Sequence, residues 1–264
     1  GVFYTDANGR ELVRREINKR GPSYPPFNIS EPVAGNYYPV NAMLSLEDKK
    51  AGTQFTVLTD VSQGGASLKD GQLELMVHRR LTHDDYRGVG EPLNETEFVA
   101  SYAGPNGGAK SGPALVVRGT HLVTLEPPAS AADVWRPLAD RSFAGPRLVF
   151  AKGGGGVDAE ATYSALAMEL PPNVQLMTLE PLAEQGELLL RLSHQFGPDE
   201  SEALSSPVKV DLAKLFLPDA LSIKSAREVS LTNNQDKQAI LKRRAAALKW
   251  SADGAKPHPW RNAT

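Results

Sequence analysis

Residues 78–93 carry the densest set of side chains in this chain that could do chemistry. Their sequence, HRRLTHDDYRGVGEPL, combines histidines, adjacent aspartates, arginines and glycines. The segment follows a short run in which Leu73, Leu75 and Val77 alternate with other residues, and such alternation predicts a half-buried β-strand. Because binding residues often lie in a loop at the end of a rigid strand, this segment is a candidate binding site.

Three residues of the segment, His78, His83 and Asp84, are of the types that ligate zinc. Their spacing lacks the His-x-Asp or His-x-x-x-His pattern that would place two ligands on one ion. A histidine at the end of a strand is more often packed or on the surface. We therefore predict no metal site in this chain.

The elements that must position this segment are predicted to be strands. Alternating or β-branched runs indicate strands at residues 55–59, 73–77, 114–118, 120–125, 147–150, 174–179, 188–196 and 207–212. Turns rich in Gly and Pro separate them, and helical periodicity is nearly absent. The pattern predicts an all-β fold: a large antiparallel β-sandwich over residues 1–160, then a smaller β unit over residues 161–264, expected to be incomplete.

One segment conflicts with the all-β prediction. Residues 235–248 are rich in strong helix formers. Since propensity is a weak prior against tertiary context, we expect a short helical turn at most.

Composition excludes several functional classes. The chain has 29 Lys and Arg against 31 Asp and Glu, so it has no electrostatic footprint for nucleic acid or an anionic membrane. It has no apolar run long enough to span a bilayer, and no cysteine for disulfides or thiol chemistry. Because the chain begins at Gly1 without an initiator methionine or a signal segment, we expect a piece of a longer polypeptide. Three sequons predict N-glycosylation if the protein is secreted, at Asn28, Asn94 and Asn262.

Together with four other stretches, the 78–93 segment resembles glycoside hydrolase family 38, the zinc-dependent α-mannosidases, and specifically their lysosomal branch. The other stretches, in the same order as in the family, are residues 1–11 (GVFYTDANGRE), 31–41 (EPVAGNYYPVN), 63–71 (QGGASLKDG) and 170–176 (LPPNVQL). The resemblance is dense over the first ninety or so residues and thinner after them. It concerns the C-terminal, β-rich part of such an enzyme.

The resemblance implies a retaining exo-α-mannosidase that releases mannose from N-glycans in the lysosome, the vacuole or the secretory pathway. It implies that zinc is bound by the N-terminal catalytic part of the same polypeptide, which is the expected partner of this chain. The large sandwich is expected to be a supersandwich similar to galactose mutarotase. The resemblance also places a strand near residues 248–250.

No catalytic residue is predicted in this chain. Glycoside hydrolysis normally uses two carboxyl groups that flank the scissile bond, but neighbouring Asp84 and Asp85 point in opposite directions on an extended segment. They are instead expected to close a turn or to pair with an arginine of the segment: Arg79, Arg80 or Arg87.

The resemblance places the Arg-Gly pair after these aspartates beside the sugar pocket, which makes Asp85, Arg87 and Gly88 the candidate substrate-binding residues. Gly88 allows close backbone approach, and the guanidinium of Arg87 offers several donors to hydroxyl groups. A salt-bridged turn, in which Arg87 only neutralises the aspartates, is the open alternative. For the whole chain, the alternative function is a non-catalytic β-sandwich that binds carbohydrate or another protein.

Overall fold

The computed structural model describes residues 1–21, 24, 28–81, 83, 86, 88, 90, 93, 116–143, 145–146, 148–150, 163–182 and 186–247. The chain divides into two compact units. The first combines Gly1–Val157 with His194–Val208, and the second combines Asp158–Ser193 with Lys209–Thr264. The boundary predicted between residues 160 and 161 lies outside the described residues and stays a prediction.

Eight strands build the described part of the first unit: β1 (Val2–Asp6), β2 (Leu12–Glu16), β3 (Tyr38–Val40), β4 (Met43–Asp48), β5 (Thr53–Thr59), β6 (Gln63–Ala66), β7 (Glu74–Met76) and β8 (His121–Glu126). Five of them form an antiparallel sheet in the order β2-β1-β4-β5-β8. The other three form a second antiparallel sheet in the order β3-β6-β7.

The register of β4 and β5 gives the large sheet two buried faces. Met43 pairs with Leu58, and the next residues, Leu44 and Val57, pair with each other. Because alternate residues of a strand point to opposite faces, these pairs serve two separate cores. Leu44 and Val57 pack with Val40 of β3 and with Leu73 and Leu75 around β7, which stacks the small sheet on one face. The predicted β-sandwich is thereby confirmed; its closer likeness to galactose mutarotase stays a prediction.

A helix that the sequence did not predict covers the opposite face. Helix α1 (Pro128–Phe143) turns Ala131, Trp135 and Ala139 towards the sheet, where they pack with Met43, Leu58 and other residues. Spacing of four residues places these side chains on one helical face. The two alanines allow close approach of helix and sheet, and Trp135, which is 2% exposed, is buried between them.

Five of the eight predicted strands are confirmed within a few residues, and three predictions are wrong in the residues that the structure describes. Residues 116–118, from the run predicted at 114–118, belong to no strand, and Val116 and Val117 are 70% and 51% exposed. Leu148, Val149 and Phe150 belong to no strand and are 82%, 89% and 89% exposed. Residues 207–212 are also outside any strand, and a short 3-10 helix at Leu212–Lys214 begins there. At all three positions no described strand lies alongside to accept the backbone hydrogen bonds that a new strand needs.

The second unit contains the paired strands β9 (Val174–Pro181) and β10 (Leu188–His194) and a helix, α2 (Lys237–Ala246). The expectation of a short helical turn was wrong, because α2 has ten residues. Asp236 caps it by accepting a hydrogen bond from the Gln238 backbone N–H at 2.8 Å. The strand expected near residues 248–250 lies outside the described part. Neither described helix is long and apolar enough to cross a membrane.

The carboxylate of Asp6, which is 1% exposed, fixes the corner between the two sheets. Its Oδ1 accepts hydrogen bonds from the backbone N–H groups of Asn41, Ala42 and Met43 at 2.9, 2.9 and 3.0 Å. Its Oδ2 accepts one from the Gly9 N–H at 2.7 Å. Residues 41 and 42 are the only link between β3 of the small sheet and β4 of the large one. One side chain therefore holds the turn after β1 and the crossover between sheets.

A buried arginine connects α1 to the returning segment His194–Val208. Arg136 is 2% exposed and donates to both carboxylate oxygens of Glu200 at 2.7 Å. It also donates to the Arg10 carbonyl at 2.7 Å, and its guanidinium lies 4.5 Å from the Trp135 ring centroid. Glu200 in turn accepts from the Gly197 N–H at 2.8 Å. Such a bidentate, desolvated pair is strongly oriented.

The two consecutive tyrosines at the start of β3, Tyr37 and Tyr38, have the local hydroxyl partners that a structural role requires. Tyr37 donates to the Glu74 carboxylate at 2.9 Å and so links β3 to β7. The Tyr38 hydroxyl accepts from Arg20 at 2.5 Å. Partial burial of the Tyr37 phenol, and after it the hydrogen bond to Glu74, raises the pKa of Tyr37 above its ordinary value.

Replacing Asp6 by Ala is expected to lower the free energy of unfolding by about 3–5 kcal/mol, because buried backbone N–H groups lose their acceptor. Asp48→Ala is the matched control: Asp48 also accepts from two backbone N–H groups, but it is exposed. The control is expected to change stability by about 1 kcal/mol or less. Urea unfolding followed by fluorescence measures both, and equal losses would contradict the role of Asp6.

Stability is expected to fall with rising pH in a way that depends on Tyr37. A folded-state pKa above the unfolded value of about 10 gives stability that is complete below pH ~10 and is lost as the pH rises through the folded pKa. Tyr37→Phe removes this dependence. The melting temperature of the wild type should therefore drop more steeply above pH ~10 than that of Tyr37→Phe. Tyr163→Phe, at a tyrosine that is 71% exposed, controls for the loss of a phenol. Parallel curves for the wild type and Tyr37→Phe would sink this expectation.

Candidate functional site

The predicted binding segment begins where β7 ends. Met76 and Val77, which are 47% and 49% exposed, lead into His78 and Arg79. With the start of β6 these residues line an open depression of about 340 Å³; its lining is Ser62, Gln63, Gly64, Met76, Val77, His78 and Arg79. Side chains with donors and acceptors stand here beside apolar ones. A hydroxyl-rich ligand needs such a mixture, because its ring edges are polar and its C–H faces are apolar.

Three polar residues that the sequence did not single out hold the strand ends beside this depression. His121 Nε2 lies 3.2 Å from Gln63 Oε1, which joins the start of β8 to the start of β6. The Asp60 carboxylate accepts from the Thr120 N–H at 2.7 Å, directly before β8. For Asp60 and His121 the available sequence signal was a polar residue at one end of a predicted strand, whereas no strand was predicted at Gln63. They position the rim of the depression and give no catalytic group.

The backbone of the segment adopts uncommon conformations. Tyr86 and Leu93 have φ of +61° and +53°, which few residues other than glycine adopt. Gly88 has φ of +150°, a value that favours glycine, and a Cβ atom there would meet no described atom within 4 Å. Tyr86 is 91% exposed. Gly88 thus leaves space beside its backbone, which is the property expected of a surface that a ligand approaches.

Of the three predicted substrate-binding residues, Gly88 alone falls within the described part of the chain. Asp85 and Arg87 lie outside it, as does Asp84, so the pairing of aspartate with arginine stays a prediction. Arg79 and Arg80, two of the possible arginine partners, lie between β7 and Leu81. Arg80 is exposed and Arg79 is half-buried.

The described residues offer no cluster for a metal ion. Among them, no group of three or more His, Asp or Glu side chains is close enough to hold one. His78 lies at the depression and is exposed. His83 lies further along the segment and is also exposed.

The structure describes one of the three sequon asparagines, Asn28. Asn28 is exposed, in a stretch without regular structure, so its side chain is accessible to a glycan. Asn94 and Asn262 lie outside the described residues, and modification at all three positions stays a prediction.

Comparison with known proteins identifies the family to which both units are similar. Residues 1–87 match the family described as "Glycosyl hydrolases family 38 C-terminal domain". Residues 173–251 match "Glycosyl hydrolases family 38 C-terminal beta sandwich domain". The first match ends within the 78–93 segment, and the second covers β9, β10 and α2.

Curated relatives extend this similarity along almost the whole chain. Lysosomal alpha-mannosidase of Bos taurus is 46% identical over 98% of this chain, and that of Homo sapiens is 43% identical over 98%. An alpha-mannosidase of Canavalia ensiformis is 40% identical over 96%. The chain spans only 24% of the length of each of these relatives. The order of the motifs, the sandwich and both family matches agree: this chain belongs to glycoside hydrolase family 38, as part of its C-terminal β-rich region.

Proposed function

We propose that this chain is the C-terminal region of an exo-α-mannosidase that releases mannose from N-glycans and glycoproteins with retention of configuration. The observation that carries the proposal is similarity over 98% of the chain to proteins named lysosomal alpha-mannosidase, at up to 46% identity. Retention requires a nucleophilic carboxylate and an acid/base carboxylate about 5 Å apart. We assign both to the rest of the polypeptide, because Asp84 and Asp85 are neighbours in sequence.

Zinc is proposed to belong to that other part as well. The residues described here do not fit a zinc site, since no three ligating side chains converge among them. In the complete enzyme the ion would bind hydroxyl groups of the mannose and stabilise the distorted ring. This chain contributes to catalysis only through its own residues.

The first proposed contribution is a loop at the sugar pocket. Asp85, Arg87 and Gly88 follow strand β7, which is fixed by its pairing with β6 and by the Tyr37–Glu74 hydrogen bond. Gly88 keeps the space beside its backbone clear. The Arg87 guanidinium would donate to mannose hydroxyls, and Asp85 would accept from a hydroxyl or orient Arg87.

The second proposed contribution is a scaffold for the catalytic part. Phe55, Val123 and Leu125 lie on the face of the large sheet that the small sheet covers elsewhere, as the register of β5 with β8 shows. Yet they are 36%, 58% and 64% exposed. Apolar surface on an edge strand is a typical contact for another domain. We propose that the catalytic part of the same polypeptide covers it.

The cellular location proposed for the protein is the lysosome or vacuole, or the secretory pathway that leads there. Two of the relatives named above carry the word lysosomal in their names. The accessible sequon at Asn28 is consistent with passage through a compartment that glycosylates proteins.

The 264-residue chain on its own is expected to be inactive. It should not hydrolyse a chromogenic α-mannoside above a buffer blank, and metal analysis after dialysis should find no stoichiometric zinc. The complete polypeptide should hydrolyse the α-mannoside and retain stoichiometric zinc, and NMR should detect α-mannose as the first product. Activity or bound zinc in the isolated chain would overturn the assignment of catalysis to the other part. An inactive complete polypeptide would instead favour the binding-module alternative.

In the complete enzyme, Arg87→Ala is expected to lower kcat/KM about ten- to a thousandfold while the melting temperature hardly changes. The loss corresponds to one or two charge-assisted contacts, roughly 1.5–4 kcal/mol. Gly88→Val should be worse, because a branched residue is strained at its φ and its side chain occupies the open space.

Arg141→Ala, which removes an exposed arginine outside the segment, is the control and should retain activity. Steady-state kinetics and thermal melts of the variants separate the alternatives. A strongly lowered melting temperature for Arg87→Ala, with unchanged kcat/KM of the folded enzyme, would show that Arg87 only closes a salt-bridged turn.

A further inference from the structure

A second depression, in the second unit, is lined almost entirely by polar side chains. It measures about 410 Å³, within the range of small-ligand sites. It lies beside the turn before α2, and its lining among the described residues is Leu182, Glu187, Arg227, Val229, Asn233, Asn234, Gln235 and Asp236. The 78–93 segment has no part in it.

The turn that carries the amide side chains is rigidly built. The Ser230 N–H donates to the Gln235 carbonyl at 2.8 Å and closes the turn. Val229 and Asp236 form an isolated β-bridge. Arg191 of β10 anchors the turn by donating to the Leu231 carbonyl at 3.0 and 2.7 Å. A ligand would therefore meet a preformed surface, with little ordering cost.

Hydrogen bonds within the turn also determine how the side-chain amide of Asn234 is oriented. The hydroxyls of Ser230 and Thr232 each lie 2.9 Å from Asn234 Oδ1, and both donate to it. The Asn234 Nδ2 donors are thus left for another partner. Asn233, at φ of +55°, holds the left-handed position that asparagine tolerates well. Within the described part, its side-chain amide and that of Gln235 have no hydrogen bond to protein groups.

The charges of the depression select the class of ligand. Arg227 pairs with Glu187 at 3.1 Å, and Asp236 adds a further carboxylate, so the lining has no excess positive charge to attract an anion. The described residues contain no group of three metal-ligating side chains. Amides and a paired Arg–Glu offer donors and acceptors side by side, which matches vicinal hydroxyls, since each hydroxyl both donates and accepts. Leu182 and Val229 supply a small apolar surface for C–H groups.

We propose that this depression is a binding site for a neutral saccharide, separate from the proposed catalytic pocket. It would bind a sugar whether or not the complete polypeptide is a mannosidase. Among the described residues no aromatic side chain lines it, so binding is expected to be weak, with Kd on the order of millimolar. A site of this kind would hold a second branch of a glycan and would not change the chemistry of cleavage.

The test is saturation-transfer-difference NMR of methyl α-mannoside on the 264-residue chain. The double variant Asn233→Gly/Gln235→Ala removes two amides but keeps the positive φ and every hydrogen bond that builds the turn. Binding should weaken about tenfold, as expected for the loss of two neutral hydrogen-bonding groups. Gln238→Ala, an exposed amide on α2 outside the lining, is the control and should bind like the wild type.

Arg227→Met tests the site independently, because Arg227 lines the depression but takes no part in the hydrogen bonds of the turn, and this variant should also weaken binding. Melting curves confirm that each variant is folded. Absence of saturation transfer from the wild type overturns the proposal, and so does equal binding by the wild type and the double variant. Competition by inorganic phosphate would also overturn it, because the site would then be an anion site. None of these outcomes bears on catalysis by the complete polypeptide.

Discussion

The corner between the two sheets depends on a single buried carboxylate. Asp6 accepts four backbone hydrogen bonds, three of them from the short link between β3 and β4. This link decides how the small sheet lies on the large one, and β7, at the far edge of the small sheet, carries the candidate sugar-binding segment. The position of a loop that is proposed to touch substrate thus follows from a group far from it in sequence. Asp6 itself is not proposed to bind a ligand, yet the candidate sugar-binding segment depends on it for its position.

The Arg136–Glu200 pair performs a similar task on the other face of the large sheet. Helix α1 alone could cover that face with small residues, but Phe196 also belongs to this core. Arg136 holds the segment that carries Phe196 by binding Glu200 through two hydrogen bonds and the Arg10 carbonyl through a third. The guanidinium is buried between polar partners and the faces of Trp135 and Phe196, 4.5 and 6.0 Å from the ring centroids. A buried ion pair with so many fixed partners specifies one docking geometry more than it adds stability.

The sequence predicted those elements whose apolar residues repeat at a short, regular spacing, because that pattern can be recognised within the segment itself. β5, β8, β9 and β10 were found because alternation marks a strand with two different faces. Helix α1 was missed because its core stripe consists largely of alanine, such as Ala131 and Ala139, and Pro137 interrupts the pattern. Residues 207–212 alternate as well, but a strand also needs a neighbour, which composition does not reveal. For the candidate site, the sequence singled out the segment that follows β7, and the role of Gly88 in binding stays a prediction. The left-handed backbone of Tyr86 has no sequence signal, because tyrosine is not a typical turn residue.

The discontinuity of the first unit has a consequence for biosynthesis. The core of the first unit includes Phe196, and its buried Arg136 pairs with Glu200. Asp158–Ser193, which belongs to the second unit, is synthesised before either of these residues. During translation, the part of the core between α1 and the large sheet that Phe196 fills therefore stays open until the returning segment has been synthesised. Contacts across such a sequence separation are slow to form, because loop closure costs entropy before the contact returns any energy. The period between synthesis of α1 and return of the chain is when this region most needs protection from aggregation.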